Sequence, residues 1–169
     1  MTPVVPLAWF PSQIGGGSVE LSPFHVIPLR KSMKRKKRLT FWSANEHDDS
    51  LVRNVISGRK TATAEALSEY YQPYGEFGDG GYEIRDFVEV YDPQHKLRCL
   101  IEILDVHTMK FGNIPERVWR GEGFGSAEEF RSCHIRCMKE HKLHDDFEFM
   151  IVHFKLIEEV NAAVPLSAD

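Results

Sequence analysis

The pattern of apolar and polar positions predicts one helix early in the chain. After capping candidates at residues 48–50, apolar side chains recur at the three- and four-residue spacing of a helix face. They are Leu51, Val52, Val55 and Ile56. Gly58 follows where a helix C-terminus favours a residue with positive φ, so we expect a helix over about 48–57.

Further along, apolar and β-branched residues form runs typical of strands. Residues 87–91 and 97–106 are separated by the short segment 92–96, which predicts a hairpin. Residues 147–157 form a long run that we expect to close the fold as a strand. A short extended piece is expected at 61–63.

Helices and loops fill the intervals between these runs. Residues 64–71 are expected to form one or two helical turns, and residues 73–81, with four glycines, a loop. Ser126 and Glu129 have the spacing of a capping box and open a helix that should reach about Lys142. Mixed strands around two or three helices, without a βαβ repeat, predict an α+β fold with a small curved sheet or barrel.

Composition separates the start of the chain from this patterned region. Residues 1–32 hold five of the nine prolines and a run of three glycines, which is typical of a leader or linker. We expect a flexible leader with a basic run over 1–38, a folded domain over 39–160 and a frayed tail over 161–169. Met33, just before the basic run, raises the hypothesis that translation starts there, which the intact mass of the native protein would test.

The formal net charge of −4 conceals a separation of charge along the chain. Residues 30–38 hold seven of the 21 basic side chains, whereas residues 39–169 hold 14 basic and 24 acidic ones, a net of −10. A domain with this charge is poorly suited to a long polyanion. Attraction to nucleic acid would have to come from the basic run 34–38, whose alternative role is a solvated arm that aids solubility.

The cysteines and the first residues indicate a cytoplasmic protein. Three cysteines are an odd and sparse set, which argues against a disulfide scaffold and favours a reducing compartment. The first ten residues lack a positive charge and contain two prolines, unlike a signal peptide. No apolar stretch approaches the ~18 residues of a membrane span, so no membrane partner is expected.

Three short motifs follow one another along the domain. They are Gly58-Arg-Lys-Thr-Ala-Thr63, Gly121-Glu-Gly123, and Phe130-Arg131 with His134. In this order and spacing they resemble the ASCH domain family over roughly residues 41–158. The resemblance implies that family's PUA-like fold, a small β-barrel with flanking helices. Phe130 is a departure, since the family commonly has Trp before this Arg.

The resemblance also implies a function. The family is linked to RNA, and some small bacterial members are amidohydrolases that deacetylate N4-acetylcytidine. Their catalytic Lys, Thr and Glu match Lys60, Thr63 and Glu122, with Glu102 as the rival carboxylate. The implied partner is a modified nucleoside or RNA, with no cofactor.

Hydrolysis of an exocyclic amide needs a nucleophile, a base and an acid for the leaving amine. Thr63 would attack, and Lys60 would accept its proton if burial or a neighbouring cation favours the neutral amine. Because neighbours in an extended segment alternate in direction, Lys60 and Thr63 share a face only if the backbone turns or bulges between them. Glu122, between two glycines that let a ligand come close, would protonate the leaving amine.

Five further residues are expected to bind the ligand: Arg59, Thr61, Tyr70, Arg131 and His134. Tyr70, with Tyr71 and Tyr74, would stack on a base or pack at the rim of the barrel. Arg131 would hold a phosphate or ribose, or pair with Glu128. His134 would line the pocket or fill a core position.

The helix predicted from Ser126 to about Lys142 carries several residues of types that bind metals. Cys133 and His134 are followed by Cys137 and His141, and residues 134, 137 and 141 share a helix face. Thiol and imidazole groups suit zinc. Structural zinc usually joins two separated elements, however, so we expect no metal there.

The leading hypothesis is an ASCH domain that binds a nucleoside or an RNA-derived ligand and hydrolyses the N4-acyl amide of acetylated cytidine. The rivals are an RNA-binding or ribonuclease module and a noncatalytic interaction domain. The acidic domain favours the small ligand, since a nearly neutral nucleoside feels little of the field.

Overall fold

A computed structural model of the protein describes residues 36–41, 45–73, 75 and 78–160. The predicted leader up to residue 35, Tyr74 and the predicted tail 161–169 lie outside the described residues. The strands and helices are, in chain order, β1 (Lys37–Thr40), α1 (Ser50–Ile56), β2 (Ala62–Ala66), β3 (Phe87–Tyr91), β4 (Leu97–Lys110), α2 (Glu116–Gly121), α3 (Ala127–Cys137) and β5 (Glu148–Glu159). Short 3-10 turns lie at Phe111–Asn113 and Lys139–His141.

The five strands form one mixed sheet in the order β1-β3-β4-β5-β2. β1 is parallel to β3, and the other neighbouring strands are antiparallel. The edge strands β1 and β2 do not pair with each other, so the sheet is a curled half-barrel rather than a closed barrel. The predicted α+β, PUA-like fold is confirmed.

The two faces of the sheet pack against separate hydrophobic cores, and β5 contributes alternate residues to both. Met150, Val152 and Phe154 join the first core, with buried residues of α1, β3 and β4. Phe149 and Ile151 join the second core, with buried residues of α2 and α3. Among the described helices, none combines the length and the apolar content needed to cross a bilayer.

A bulge in β4 changes which side chains face the first core. The register with β5 passes directly from Ile103 to Asp105, which leaves Leu104 as an extra, exposed residue. One extra residue exchanges the two faces of a strand. Val106 therefore packs on the first core, and Asp105 and His107 lie on the opposite face.

Several sequence predictions are confirmed. The early helix is α1, the hairpin is formed by β3 and β4, and the closing strand is β5. Ser126 caps α3, since its hydroxyl oxygen accepts a hydrogen bond from the Glu129 amide at 3.1 Å.

Two predicted helical segments differ from the observed structure. The expected helical turns over 64–71 are wrong at their start, because β2 runs through Ala66. Alanine and glutamate favour helices, but pairing with β5, which buries Ala62 and Ala66, outweighs that preference. The helix expected to reach Lys142 ends at Cys137, and a 3-10 turn follows.

The folded domain includes the end of the basic run, so its start also differs from the expected residue 39. β1 begins at Lys37, whose Nζ lies 2.8 Å from Asp86 Oδ2. Lys36 Nζ lies 3.6 Å from Glu89 Oε1. These lysines belong to the domain rather than to a free arm.

Candidate functional site

Lys60 is positioned by the turn between α1 and β2. Gly58 adopts a φ of +75°, a left-handed conformation that favours glycine. The Lys60 amide then donates to the Asn54 carbonyl at 2.9 Å. The Lys60 side chain is 2% exposed, and its ammonium lies 5.2 Å from the centre of the Phe41 ring. A lysine buried to this extent is rare unless it is paired.

The partner of Lys60 comes from α2, a helix that the hydrophobic periodicity does not predict. Glu122 is the C-cap of α2, and its amide donates to the Val118 carbonyl at 2.8 Å. Six residues are too few to establish a helical period. The signal available in the sequence is Pro115 followed by Glu116, a proline and an acid at the start of a helix.

Gly121 allows the end of α2 to lie against the start of β2. A Cβ at this position would lie 2.9 Å from the Ala62 Cβ and 3.3 Å from the Thr61 hydroxyl oxygen. The Thr61 amide donates to the Gly121 carbonyl at 2.6 Å. This glycine permits a close approach between two protein segments, whereas the Gly-Glu-Gly pattern predicts the close approach of a ligand.

Lys60 and Glu122 form a buried ion pair. Nζ lies 2.6 Å from Oε2, and the Glu122 side chain is 8% exposed. The other carboxylate oxygen, Oε1, accepts a hydrogen bond from the Ala64 amide at 2.5 Å. Because removing both charges from water offsets most of their attraction, such a pair contributes little net stability.

His134, on α3, lies next to this ion pair. Its Nδ1 lies 2.9 Å from the Phe130 carbonyl oxygen, and its ring stacks on the Phe130 ring with centres 3.9 Å apart. Since a carbonyl oxygen only accepts, we assign the hydrogen to Nδ1. Nε2 then faces Glu122, whose Oε1 lies 3.8 Å away. Lys60, Glu122 and His134 together are called the Lys–Glu–His cluster below.

The cluster retains hydrogen-bond donors for a ligand. An ammonium has three N–H bonds, and the hydrogen bonds of Lys60 within the described residues use one of them. Among the described residues, two N–H bonds therefore meet no acceptor, and they lie beside a carboxylate and an imidazole nitrogen in a largely buried setting. Such a set can hold a carbonyl oxygen and can transfer protons.

Comparisons with known proteins agree with this architecture. A model of the ASCH domain family matches residues 37–158. This chain belongs to the ASCH domain family. The family is PUA-like and is often associated with RNA binding.

Solved structures of the ASCH fold resemble this chain. A protein from Enterococcus faecalis assigned to the family DUF984 has a TM-score of 0.60 and 19% identity, over 72% of this chain and 76% of its own. An ASCH domain from Lactobacillus crispatus has a TM-score of 0.54 and 22% identity, over 70% of this chain and 79% of its own. No match is found among curated proteins. At these identities the likeness establishes the fold alone.

In this ASCH domain, Thr63 lies on β2 beside the cluster. It precedes Ala64, whose amide binds Glu122, and it pairs in register with Val152. Within the described residues, no side-chain hydrogen bond joins its hydroxyl to Lys60 or Glu122. Of the expected turn or bulge between Lys60 and Thr63, a bulge within β2 is not found, because β2 pairs with β5 without a register shift; Lys60 lies before the strand.

Two predicted ligand-binding residues flank Lys60 in the chain. Arg59 is exposed, and its Nε donates to the Ser57 hydroxyl oxygen at 3.2 Å. Thr61 is also exposed, and its carbonyl accepts from the Phe154 amide at 2.9 Å. Both side chains therefore lie at the solvent side of the buried cluster.

Tyr70 lies in the first core, so the expected stacking of this ring on a base is wrong. The residue is 1% exposed, and its hydroxyl donates to the Tyr82 carbonyl. Its ring packs edge-on against the rings of Tyr71 and Tyr82. Tyr71, by contrast, is 70% exposed.

Arg131 is engaged in internal contacts, which differs from the expected contact with a phosphate. Its Nη1 donates to the Phe111 carbonyl at 2.9 Å, and its Nη2 lies 2.7 Å from Asp145 Oδ1. The guanidinium also lies 4.3 Å from the centre of the Phe111 ring. The ion pair considered as the alternative is present, but with Asp145 in place of Glu128.

Glu102, the rival carboxylate, lies elsewhere on the sheet. Its Oε2 is 2.9 Å from Lys155 Nζ, its partner in the β4–β5 register. Glu122 is therefore the carboxylate that contacts Lys60.

The Cys and His side chains of α3 and of the 3-10 turn after it do not converge on one point. Cys133 Sγ and Cys137 Sγ lie 3.7 Å apart, whereas His141 Nε2 lies 3.4 Å from Glu69 Oε1. His134 contacts Phe130 and Glu122 instead. Because these side chains have separate partners, they are not arranged around a common point where one metal ion could bind.

A polar groove of roughly 570 Å³ is formed by other residues. Its lining includes Asp49, Asp92 and Arg98, and none of the predicted site residues belongs to it. Arg98 Nη1 lies 2.9 Å from Asp49 and 3.2 Å from Asp92, and its hydrogen bond lowers the pKa of Asp49. Because the Arg98 guanidinium is already engaged by both carboxylates, we place the site by the chemistry of the Lys–Glu–His cluster rather than by groove size.

Proposed function

We propose that this ASCH domain acts in the cytoplasm, binds a nucleoside or an RNA-derived ligand at the Lys–Glu–His cluster and hydrolyses the N4-acyl amide of acetylated cytidine. One observation carries the proposal. The Lys60 ammonium is buried 2.6 Å from Glu122 and has two N–H bonds that meet no acceptor among the described residues. Cationic donors in surroundings poor in water stabilise the oxyanion that develops when an amide is attacked.

The acyl carbonyl oxygen is the group that suits Lys60. Placed against the free N–H bonds, it would accept a charge-assisted hydrogen bond, which is roughly twice as strong as a neutral one. The amide nitrogen would then lie toward Glu122 and His134. Thr61 and Arg59, at the solvent side, would contact the sugar.

The reaction would use Thr63 as nucleophile. Its oxygen forms a bond to the acyl carbon, and its proton passes to the Lys60–Glu122 pair, whose 2.6 Å contact allows proton exchange. The pair returns a proton to N4 as the carbon–nitrogen bond breaks, releasing cytidine. Water then hydrolyses the ester on Thr63, releasing the carboxylic acid and restoring the hydroxyl.

Two isosteric variants test this assignment. Purified protein is incubated with N4-acetylcytidine, and cytidine release is followed by chromatography. We expect Glu122→Gln and Thr63→Val to lower kcat/KM by about 10²- to 10⁴-fold, the usual range for losing acid–base help. Thr108→Val, at an exposed threonine of β4, is the matched control and should change it less than twofold.

The results for the two variants distinguish the role of Glu122 from that of Thr63. Circular dichroism and thermal unfolding first establish that each variant is folded. Turnover that persists in both variants would refute the mechanism. Loss in Glu122→Gln alone would refute Thr63 as nucleophile and leave water as the attacking group.

An RNA-binding or ribonuclease function is the second candidate, because ASCH domains are often associated with RNA binding. The same preparation is incubated with single-stranded RNA. Cleavage or tight binding of RNA, without any deacetylation of N4-acetylcytidine, would favour this candidate over the first.

A further inference from the structure

Three metal-ligating side chains lie together on β4 and β5, outside the Lys–Glu–His cluster. Asp105 and His153 are partners in the antiparallel register, and His107 lies two residues further along β4. One donor atom from each lies within 4.8 Å of the donor atoms of the other two. The two imidazole rings are stacked with centres 5.6 Å apart. These residues are called the Asp–His cluster.

The bulge in β4 creates this arrangement. If Leu104 paired with β5 as a regular strand residue, Asp105 and His107 would continue the side of Ile103 and face the first core. Because Leu104 is instead an extra, unpaired residue, they lie on the same face as His153. The three ligating groups therefore come from two adjacent strands of the sheet, a rigid support for a binding site.

Two ring nitrogens of the Asp–His cluster lack the partner that a shielded polar atom normally has. His107 Nδ1 and His153 Nε2 are shielded from solvent and make no hydrogen bond with the described residues. His107 Nδ1 lies 3.1 Å from Asp105 Oδ2, but the contact does not have hydrogen-bond geometry. Shielded nitrogens of this kind indicate a bound water or ion.

We propose that Asp105, His107 and His153 bind one divalent transition-metal ion, of which Zn²⁺ and Co²⁺ suit the site. Imidazole nitrogens and a carboxylate oxygen are ligands that these ions accept. Ligand atoms of a tetrahedral ion lie about 3.4 Å apart at bond lengths of about 2.1 Å, so the three groups have to approach by no more than about 1.4 Å. Three protein ligands leave a fourth position for water.

Arg117 of α2 is the competing cation. Its Nη2 lies 3.3 Å from Asp105 Oδ2 and 3.3 Å from His107 Nε2. The side chain is 60% exposed, so it is free to turn into solvent when an ion enters. Its positive charge opposes a second cation at the same carboxylate. Shortening Arg117 should therefore raise the affinity for a metal.

Metal titration of untagged protein, freed of metal by a chelating resin, tests the proposal. Isothermal titration calorimetry with Zn²⁺ should give one equivalent per chain, and Co²⁺ should give visible absorption bands. Because Cys133 and Cys137 form a second pair of soft ligands, the reference protein is the Cys133→Ser, Cys137→Ser double variant. Binding of one equivalent should persist in it.

Substitutions within this reference protein locate the ion. Asp105→Asn and His153→Gln should each weaken binding at least ~10-fold, and His144→Gln, at an exposed histidine elsewhere, should leave it unchanged. Arg117→Ala should tighten binding several-fold, a change that a purely structural polar cluster would not produce.

Two results would overturn the proposal. One is the absence of heat and of visible absorption in the reference protein. The other is binding that Asp105→Asn and His153→Gln leave unchanged. If His153→Gln does not fold, Asp105→Asn decides alone, since it keeps the size of the side chain and removes the charge.

Discussion

Glu65 of β2 is a carboxylate whose environment alters its titration. Its Oε1 is shielded from solvent and has no hydrogen-bond partner among the described residues. Burial, with the nearby Glu69 carboxylate, raises the pKa of Glu65 from 4.5 to about 7. The folded state therefore holds this proton more tightly than the unfolded state. The stability that comes from this tighter proton binding is complete below about pH 4.5 and is lost as the pH rises to about 7.

Replacing this carboxylate by an amide removes the loss of stability at high pH, because an amide does not ionise. We expect Glu65→Gln to be about 1–2 kcal/mol more stable than the wild type near pH 8, after allowance for solvent screening, and about equally stable near pH 4. Urea unfolding at both values measures the difference. Glu158→Gln, at an exposed site, is the control. A difference for Glu65→Gln that does not grow with pH would contradict the shift.

At the residue scale, the sequence predicts the centre of the site better than its surroundings. Lys60, Glu122 and His134 follow from motifs shared with a known family, and their side chains lie together. Tyr70 and Arg131 have internal partners that come from other segments of the chain. Local pattern contains no information about such partners, so their burial and pairing could not be derived from it.

The approach of α2 to β2 is decided by one glycine. Gly121→Ala would gain up to about 1 kcal/mol from helix propensity. The new Cβ, however, would lie 2.9 Å from the Ala62 Cβ, which cannot turn away because it is fixed to the backbone. Overpacking of this kind costs about 1–3 kcal/mol, so the steric cost exceeds the gain.

We therefore expect Gly121→Ala to be about 1 kcal/mol less stable and to deacetylate more slowly, since moving α2 separates Glu122 from Lys60. Urea unfolding and the cytidine-release assay measure the two effects. Gly125→Ala is the matched control, because its Cβ would meet only the end of the flexible Glu129 side chain at 3.2 Å. Equal effects of the two substitutions would argue against the close contact.

At the element scale, the elements with a clear hydrophobic pattern are predictable, including β3 with only five residues, and the elements held mainly by distant contacts are not. β3, β4 and β5 show clear strand patterns, because their side chains alternate or are buried over many residues. β2 and α2 have five and six residues, and each is held by contacts with a distant element. Tertiary pairing determines the structure of these elements, and propensity alone assigned the second half of β2, residues 64–66, to a helical turn.

At the scale of the whole molecule, the structure shows how many basic side chains remain to bind phosphates. Residues 39–169 carry a net charge of −10, and the end of the basic run offsets part of this charge within the domain. Lys37 and Lys36 already pair with Asp86 and Glu89. Fewer cations remain for phosphates than the count along the sequence implies.

We expect single-stranded RNA to bind weakly at physiological salt, with a dissociation constant at or above ~10⁻⁴ M, the weak end of nonspecific binding. Binding of N4-acetylcytidine should change little between low and physiological salt, because the nucleoside carries almost no charge. Fluorescence polarisation of a labelled oligonucleotide and calorimetry of the nucleoside measure the two. Tight, salt-sensitive RNA binding would refute this expectation and favour the RNA-binding function.

The extra residue at Leu104 determines how the protein tolerates insertions and deletions. Deleting Leu104 would only remove the bulge, because Ile103 and Asp105 already pair with adjacent residues of β5. Deleting Val106 instead would carry His107 to the first-core face, although no side chain had been replaced. Losing one residue from the turn at 92–96 would leave those faces unchanged. In related sequences, we therefore expect length variation to be found in the turn and at the bulge itself, and to be excluded from the paired residues of β4 that follow the bulge.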